Sequence, residues 1–286
     1  MELAAIGTTS HLDAVGEHVR GAVRPIGASL RVEIGRCGEL GIVRVMAPDG
    51  APPRSRRRWL GAVARGVARC LVEECEGDLL ARMLTRHYGP LAARDRARVL
   101  GRAAVHLERG PYPRSAYRRA RTEALAGTLL AVLSEDGGFV LEGMLTFRLR
   151  RYVGDLEEAL GRAVDDHLLE REYNEFIRLL RYFVAAQTPR TDRVDLVVHG
   201  SSFRLLDRDG RPMAVDTPPP VELESLEAEI NYEDVLISAL ISAAPTRIVV
   251  HAPLRPSLHV SSVQRVFEAR VERCAEASCG LCASSA

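Results

Sequence analysis

The sequence predicts an α+β protein, and three observations carry that reading. The first 48 residues alternate short apolar runs with one amphipathic stretch, the next 80 or so are Ala/Arg/Leu-rich and helical, and the C-terminal third mixes tight turns with apolar runs around a long helix. The expected architecture is a small N-terminal βαββ unit, an Arg-rich helical middle, a long buried central helix, and a C-terminal antiparallel or mixed sheet with helices. Residues 1–48, 54–135 and 138–286 bound these regions. A sheet shared by the N- and C-terminal strands would make the chain one domain.

The N-terminal unit follows from local signals. Leu3 to Ile6 reads as a strand, and Ser10 is placed to cap a helix that runs to Val23 before Pro25. Ser29 to Ile34 and Leu40 to Met46 flank Gly35-Arg36-Cys37-Gly38 and read as a hairpin. Gly7-Thr8-Thr9-Ser10 after a strand faintly suggests an anion cradle. It has neither a Walker lysine nor a GxGxxG pattern, so it reads as an ordinary turn and cap.

Ala47 to Ser55 is a Pro-rich linker. From Arg56 to Leu133 three or four helices are expected, with breaks near Gly77, Gly89-Pro90 and Gly110-Pro111-Tyr112-Pro113. Between Arg54 and Arg121 the chain carries 17 Arg against six acids. Such a region can bind nucleic acid or another anion through Arg56, Arg57, Arg58, Arg94, Arg96, Arg98, Arg102, Arg118, Arg119 and Arg121. No zinc-finger, recognition-helix or RNA-binding aromatic motif accompanies it. The plainer reading is solvation, or pairing with the acidic stretch Asp207 to Asp234, because the whole chain has a net charge of only +1.

Phe139 to Leu149 is apolar and leads into the long helix, with a break or cap expected at Gly154-Asp155 and an end at Pro189. On a helical wheel Leu168, Leu169, Tyr173, Phe176, Ile177, Leu179, Leu180, Phe183 and Val184 form one broad arc, so the helix should be buried over most of its girth. Arg171, Asn174, Arg178 and Arg181 occupy the remaining face, a contact surface for solvent or a partner. Asp165 and Glu172, one heptad apart, fall inside the apolar arc. As buried carboxylates they would need an Arg, a backbone donor, a metal or a proton. The helix has His167-x-x-Glu170 where a ferritin-type site needs Glu-x-x-His, so a di-iron centre is disfavoured.

These residues carry a resemblance. Phe147-Arg148-Leu149 with Tyr152, then Leu169-Glu170-Arg171-Glu172-Tyr173-Asn174-Glu175-Phe176-Ile177 and Leu179-Leu180-Arg181-Tyr182-Phe183-Val184, are similar to the signature region of the YtxC family of sporulation proteins from endospore-forming bacteria. The similarity extends from about Gly138 through Asn231-Tyr232-Glu233-Asp234 and Arg247-Ile248-Val249-Val250-His251 to the C-terminus. The family implies a physiological context and brings no catalytic residues.

Beyond Pro189, Val194 to His199, Ser202 to Leu206 and Arg211 to Val215 read as strands of a compact meander. Asp216 to Glu229 is a loop or exposed helix start, and Asn231 caps the helix that contains Val235 to Ala243. Arg247 to His251 is a buried strand, Ser261 to Ala269 a helix, and Arg270 to Arg273 the lead into a tail.

That tail contains the one constellation with ligand chemistry. Cys274, Cys279 and Cys282 stand at C-x4-C-x2-C, close enough to grip one soft metal. The run also matches a plant-type iron-sulfur spacing, which needs a fourth, distant ligand. Cys37, Cys70, Cys75, His251 or His259 could supply it. Zinc is favoured over iron-sulfur, and a structural ion over a catalytic one, since no redox motif or open coordination position accompanies the cluster. The alternative is a frayed tail without metal.

Other chemistry is sparse. All 39 basic residues are Arg, and the eight histidines are scattered with no nucleophile elbow or reactive-cysteine signature. No apolar run reaches the ~18 residues of a membrane span and the first residues do not read as a leader, so a cytosolic protein is expected. The reading is a non-enzymatic cytosolic interaction protein with a protein partner, acting in endospore formation. Nucleic-acid or anion binding through the Arg-rich region and metal binding through the cysteines are the alternatives.

Overall fold

The computed structural model describes residues 1–26, 29–109, 114–199, 202–213, 232–251, 258–275 and 279–283. The fold is α+β, in two compact units, Met1–Leu169 and Glu170–Ala286. Each has its own four-stranded sheet and its own apolar core, so the strands of the two ends do not join one sheet.

In the first unit β1 (Glu2–Thr8), β2 (Arg31–Cys37), β3 (Leu40–Met46) and β4 (Gly138–Val140) lie in the order β2-β3-β1-β4. β1 is antiparallel to β3 and parallel to β4. The hairpin turns at Gly38, whose φ of 62° is open to glycine at little cost. α1 (Leu12–Val23) buries Leu12, Val15, Val19 and Val23 at helical spacing. α2 (Pro53–Cys70) crosses it so closely that a Cβ at Gly66 would stand 2.9 Å from Val19 Cα.

The break expected at Gly77 is instead a π-helical turn, Leu71–Cys75, which passes directly into α3 (Glu76–Tyr88). α4 (Ala93–Leu107) and α5 (Arg114–Asp136) follow. The break expected at residues 110–113 lies outside the described residues. Beneath the π-turn, Glu76 accepts hydrogen bonds from Tyr152 Oη (3.2 Å) and Arg121 (3.0 Å). Burial outweighs both and pushes the Glu76 carboxyl above its usual range.

Ser10 does not cap α1. His11 takes the position, in the left-handed region, and gives no side-chain cap. Glu142, in the short α6 (Leu141–Gly143), occupies the cradle instead: its Oε1 accepts from Thr9 N, Thr9 Oγ1 and Thr8 Oγ1, each at 2.9 Å. The turn at residues 7–10 is thus filled by the chain's own carboxylate, 133 residues away from Thr9 in sequence.

After a second π-turn (Met144–Arg148), α7 runs unbroken from Arg150 to Ala186. Gly154 does not interrupt it. A glycine costs a helix about 1 kcal/mol, and burying Tyr152, Leu156, Leu160 and Val164 on one stripe offsets that.

The second unit holds β5 (Thr191–His199), β6 (Ser202–Leu206), β7 (Pro245–His251) and β8 (Val271–Arg273) in the order β6-β5-β7-β8. Only β5 and β6 are antiparallel; β5–β7 and β7–β8 are parallel. The sheet is therefore mixed rather than a meander. Parallel neighbours need a crossover. α8 (Tyr232–Ala243) lies between β6 and β7 in sequence, and α9 (Leu258–Phe267) between β7 and β8. A short 3-10 turn (Glu268–Arg270) precedes β8, and α10 (Gly280–Ala283) ends the described chain. The expected strand end at residues 214–215, the acidic loop at 216–229 and the Asn231 cap lie outside the described residues.

Candidate functional site

α7 carries the first candidate surface, and it is not the buried rod that its composition predicts. Ile177 and Val184 are buried and Leu180 is partly so, all in the second core. Leu169, Phe176, Leu179, Tyr182 and Phe183 stand outward, 64, 52, 68, 77 and 51% exposed. The second core covers one edge of the arc and leaves its centre open. Asp165 and Glu172 project from that open centre, and both are exposed rather than buried. The expected cost of desolvating them does not arise.

The polar face of α7 is partly engaged within the second unit. Arg171 pairs with Glu175 at 3.2 Å, Arg181 with Glu268 at 2.6 Å, and Asn174 Oδ1 accepts from Arg265. Arg265 also stacks 4.8 Å from the Tyr173 ring centroid, while Tyr173 Oη meets Ser262 Oγ at 3.0 Å. Of the four polar residues named from sequence, Asn174 and Arg181 fasten α7 to α9 and the turn after it, Arg171 pairs within α7, and Arg178 is exposed.

The second candidate lies at the carboxyl end of β7. Parallel pairing of β7 with β8 brings Cys274, whose N–H donates to Val250 O at 3.1 Å, beside His251. A tight turn, with Cys282 N donating to Cys279 O at 3.1 Å, folds the last two thiols onto the same point. Cys279 Sγ and Cys282 Sγ lie 3.4 and 3.5 Å from His251 Nδ1. One donor atom from each of His251, Cys274, Cys279 and Cys282 lies within 4.8 Å of all the others.

His251 is held from behind. Its Nε2 meets Asp195 Oδ1 at 2.8 Å, and Arg193 grips the same carboxylate with Nη2 on Oδ1 (2.7 Å) and Nε on Oδ2 (2.9 Å). His251 and Asp195 are 2% and 5% exposed. Burial alone would raise Asp195, but the bonds from Arg193 and His251 prevail and hold its carboxyl below the usual range. An ionised Asp195 favours the tautomer in which Nε2–H donates a hydrogen bond to it and the Nδ1 lone pair turns toward the thiols. Among those, the Cys282 backbone N–H draws Cys279 down to about 7, while burial first and the neighbouring thiols next push Cys282 up to about 12.

Of the proposed fourth donors, Cys70 and Cys75 face each other at 4.0 Å inside the first unit, Cys37 is exposed on β2, and the side chain of His259 lies outside the described residues. Asp195 and Arg193 were not picked out from sequence. An aspartate inside the apolar strand Val194 to His199 is a signal that a buried partner waits for it.

A family model described as the YtxC-like family matches residues 62–272. The uncharacterized protein YtxC of Bacillus subtilis (strain 168) is 28% identical over 174 residues, which span 60% of this chain and 61% of that protein. No solved structure matches. The matched residues contain all of α7, Asp195 and His251, and end just before Cys274. No described helix is long and apolar enough to cross a membrane.

Proposed function

Since the chain belongs to the YtxC-like family, we propose that it is a non-enzymatic, cytosolic interaction protein acting in endospore formation, and that it docks a protein partner on the open face of α7. The observation behind this reading is the pair Phe176 and Phe183, at seven-residue spacing within the second unit, with Leu179 alongside, all more than half exposed. Large apolar side chains exposed together mark a contact surface. Seven-residue spacing is the repeat with which one helix receives another.

The occupant is a basic amphipathic helix. Glu172 projects from the apolar arc beside Phe176 and Leu179, so a partner that covers the arc must meet it with a cation. A second copy of this chain is the poorer fit, because it would bring its own acids to the seam.

The test uses a synthetic amphipathic helix with leucine at its seam and Arg at heptad spacing, labelled for anisotropy, alongside the same peptide with Glu for Arg. The full chain is expected to bind the basic peptide at least tenfold tighter. Phe176→Glu should abolish binding, and Glu172→Arg should reverse the preference. Equal binding of both peptides, or light scattering that shows a dimer lost in Phe176→Glu, would overturn the assignment. In a spore-forming host, Phe176→Glu at the native locus should lower the count of heat-resistant spores, and an unchanged count would remove the endospore role.

A further inference from the structure

We propose that His251 Nδ1 and the thiolates of Cys274, Cys279 and Cys282 hold one zinc ion in a closed tetrahedral site that fastens the C-terminal segment to the end of β7. The site is independent of the α7 reading. Three of its four ligands lie beyond the residues that match the family.

Distance decides the nuclearity. A tetrahedral zinc ion with bonds of about 2.3 Å to sulfur and 2.0–2.1 Å to nitrogen sets its donors roughly 3.5–3.8 Å apart. The two sulfur–Nδ1 separations, 3.4 and 3.5 Å, and the 4.8 Å envelope of all four donors agree with one ion. A plant-type cluster gives each iron its own thiolates and spreads them across the cluster, so the iron-sulfur reading of the spacing does not fit. Three soft sulfurs and an imidazole suit zinc better than the oxygen-seeking divalent cations.

A second, independent observation lies behind the ligands. His251 is buried, and its other nitrogen is committed to Asp195, which Arg193 orients with two bonds. Zinc-ligating histidines recur with such a carboxylate behind them, because it fixes the tautomer and strengthens the donor. Asp195 is a positioning residue: it touches the histidine and not the ion. Four protein donors leave no open position for water or substrate, so the ion is structural.

The geometry also says what the ion does for the fold. β8 is three residues long and an edge strand, paired only to β7. Cys274 follows it directly, and the thiols of Cys279 and Cys282 lie at the same point. A single ion thus joins the end of β7, the end of β8 and the last helical turn.

The experiment is elemental analysis of the full chain, purified in reductant without a metal-affinity step. About one zinc per chain is expected. Cys279→Ser with Cys282→Ser should retain less than a tenth of it, and Asp195→Asn should bind zinc 10–100-fold more weakly. Should the double variant fail to fold, cobalt substitution of the native chain supplies the answer. A site of three sulfurs and one nitrogen gives intense visible bands and thiolate charge transfer, both lost on adding zinc. A native chain that takes up neither metal in reductant, that holds zinc after both cysteines are replaced, or that gives the weak spectrum of six-coordinate cobalt would overturn the proposal. So would a disulfide among the three cysteines that persists in reductant.

Discussion

The two units of this chain solve the same problem with different means. Met1–Leu169 packs its helices and sheet around a long list of fully buried aliphatics, among them Leu71, Leu129, Leu133, Leu156 and Leu160. Glu170–Ala286 has a shorter described core, gathered on one face of α7, α8, α9 and the sheet. Their hydrogen-bonded acids differ in the same way. Half-buried Glu142 takes neutral hydroxyls and an amide on Oε1, whereas buried Asp195 takes an arginine and a histidine. A unit with ample apolar surface can close on itself. The zinc proposed above would give the second unit a cross-link that does not depend on buried area.

The largest expected effect breaks that contrast. With free zinc at a thousand times its dissociation constant, the ion stabilises the second unit by about 4 kcal/mol. Stripping it with a chelator should then lower that unit's melting transition by roughly 15–30 °C and leave the first unit's transition in place. Calorimetry with and without chelator reads both. Two transitions that move together would show that the units unfold as one.

The converse cut comes next. Leu129 is fully buried in α5, and Leu129→Ala should cost the first unit about 3 kcal/mol by denaturant unfolding while zinc content stays unchanged.

A smaller effect sharpens the comparison of the acids. Burial pushes Glu142 up, but the bonds from Thr9 and Thr8 hold it below its ordinary value of 4.5. A depressed folded pKa means that the unfolded chain takes up the proton first. The stability Glu142 contributes is therefore present above pH 4.5 and is lost as pH falls below it. Glu142→Gln should cost about 1 kcal/mol at neutral pH and flatten the acid limb of the first unit. Burial pushes Glu76 the other way, above 4.5, so it disfavours the fold as pH rises. Glu76→Gln should steepen the acid limb that Glu142→Gln flattens.

The smallest stability effect belongs to the open face of α7. Leu179 is 68% exposed, so Leu179→Ser should change unfolding by less than about 0.5 kcal/mol while weakening the basic helical peptide several-fold. A destabilisation above 2 kcal/mol would mean that the face is covered.

Much of this chain was legible in its residues because much of its structure is local. The periodicity of α1, the hairpin around Gly38, the extent of α7 past residue 169 and the strand Arg247 to His251 all follow from spacing and turn chemistry within a few residues. The nearness of Cys274, Cys279 and Cys282 to one another is likewise in part local, since they stand within nine residues. β4 and β8 escaped notice because strands of three residues carry no period. The π-turn at Leu71–Cys75 escaped because nothing in the residues themselves distinguishes it from the helix it interrupts.

What the tertiary structure decided is everything that depends on a neighbour distant in sequence. A helical wheel says that nine apolar side chains of α7 share an arc, but only the packing of the second core says that Ile177 and Val184 are covered while Leu179 and Phe183 are not. Cysteine spacing proposes a metal and leaves five possible fourth donors. Parallel pairing of β5, β7 and β8 selects His251 and places Asp195 behind it. The physical reason is common to both cases: backbone geometry fixes the direction in which a side chain points, and packing between remote segments fixes what it meets there.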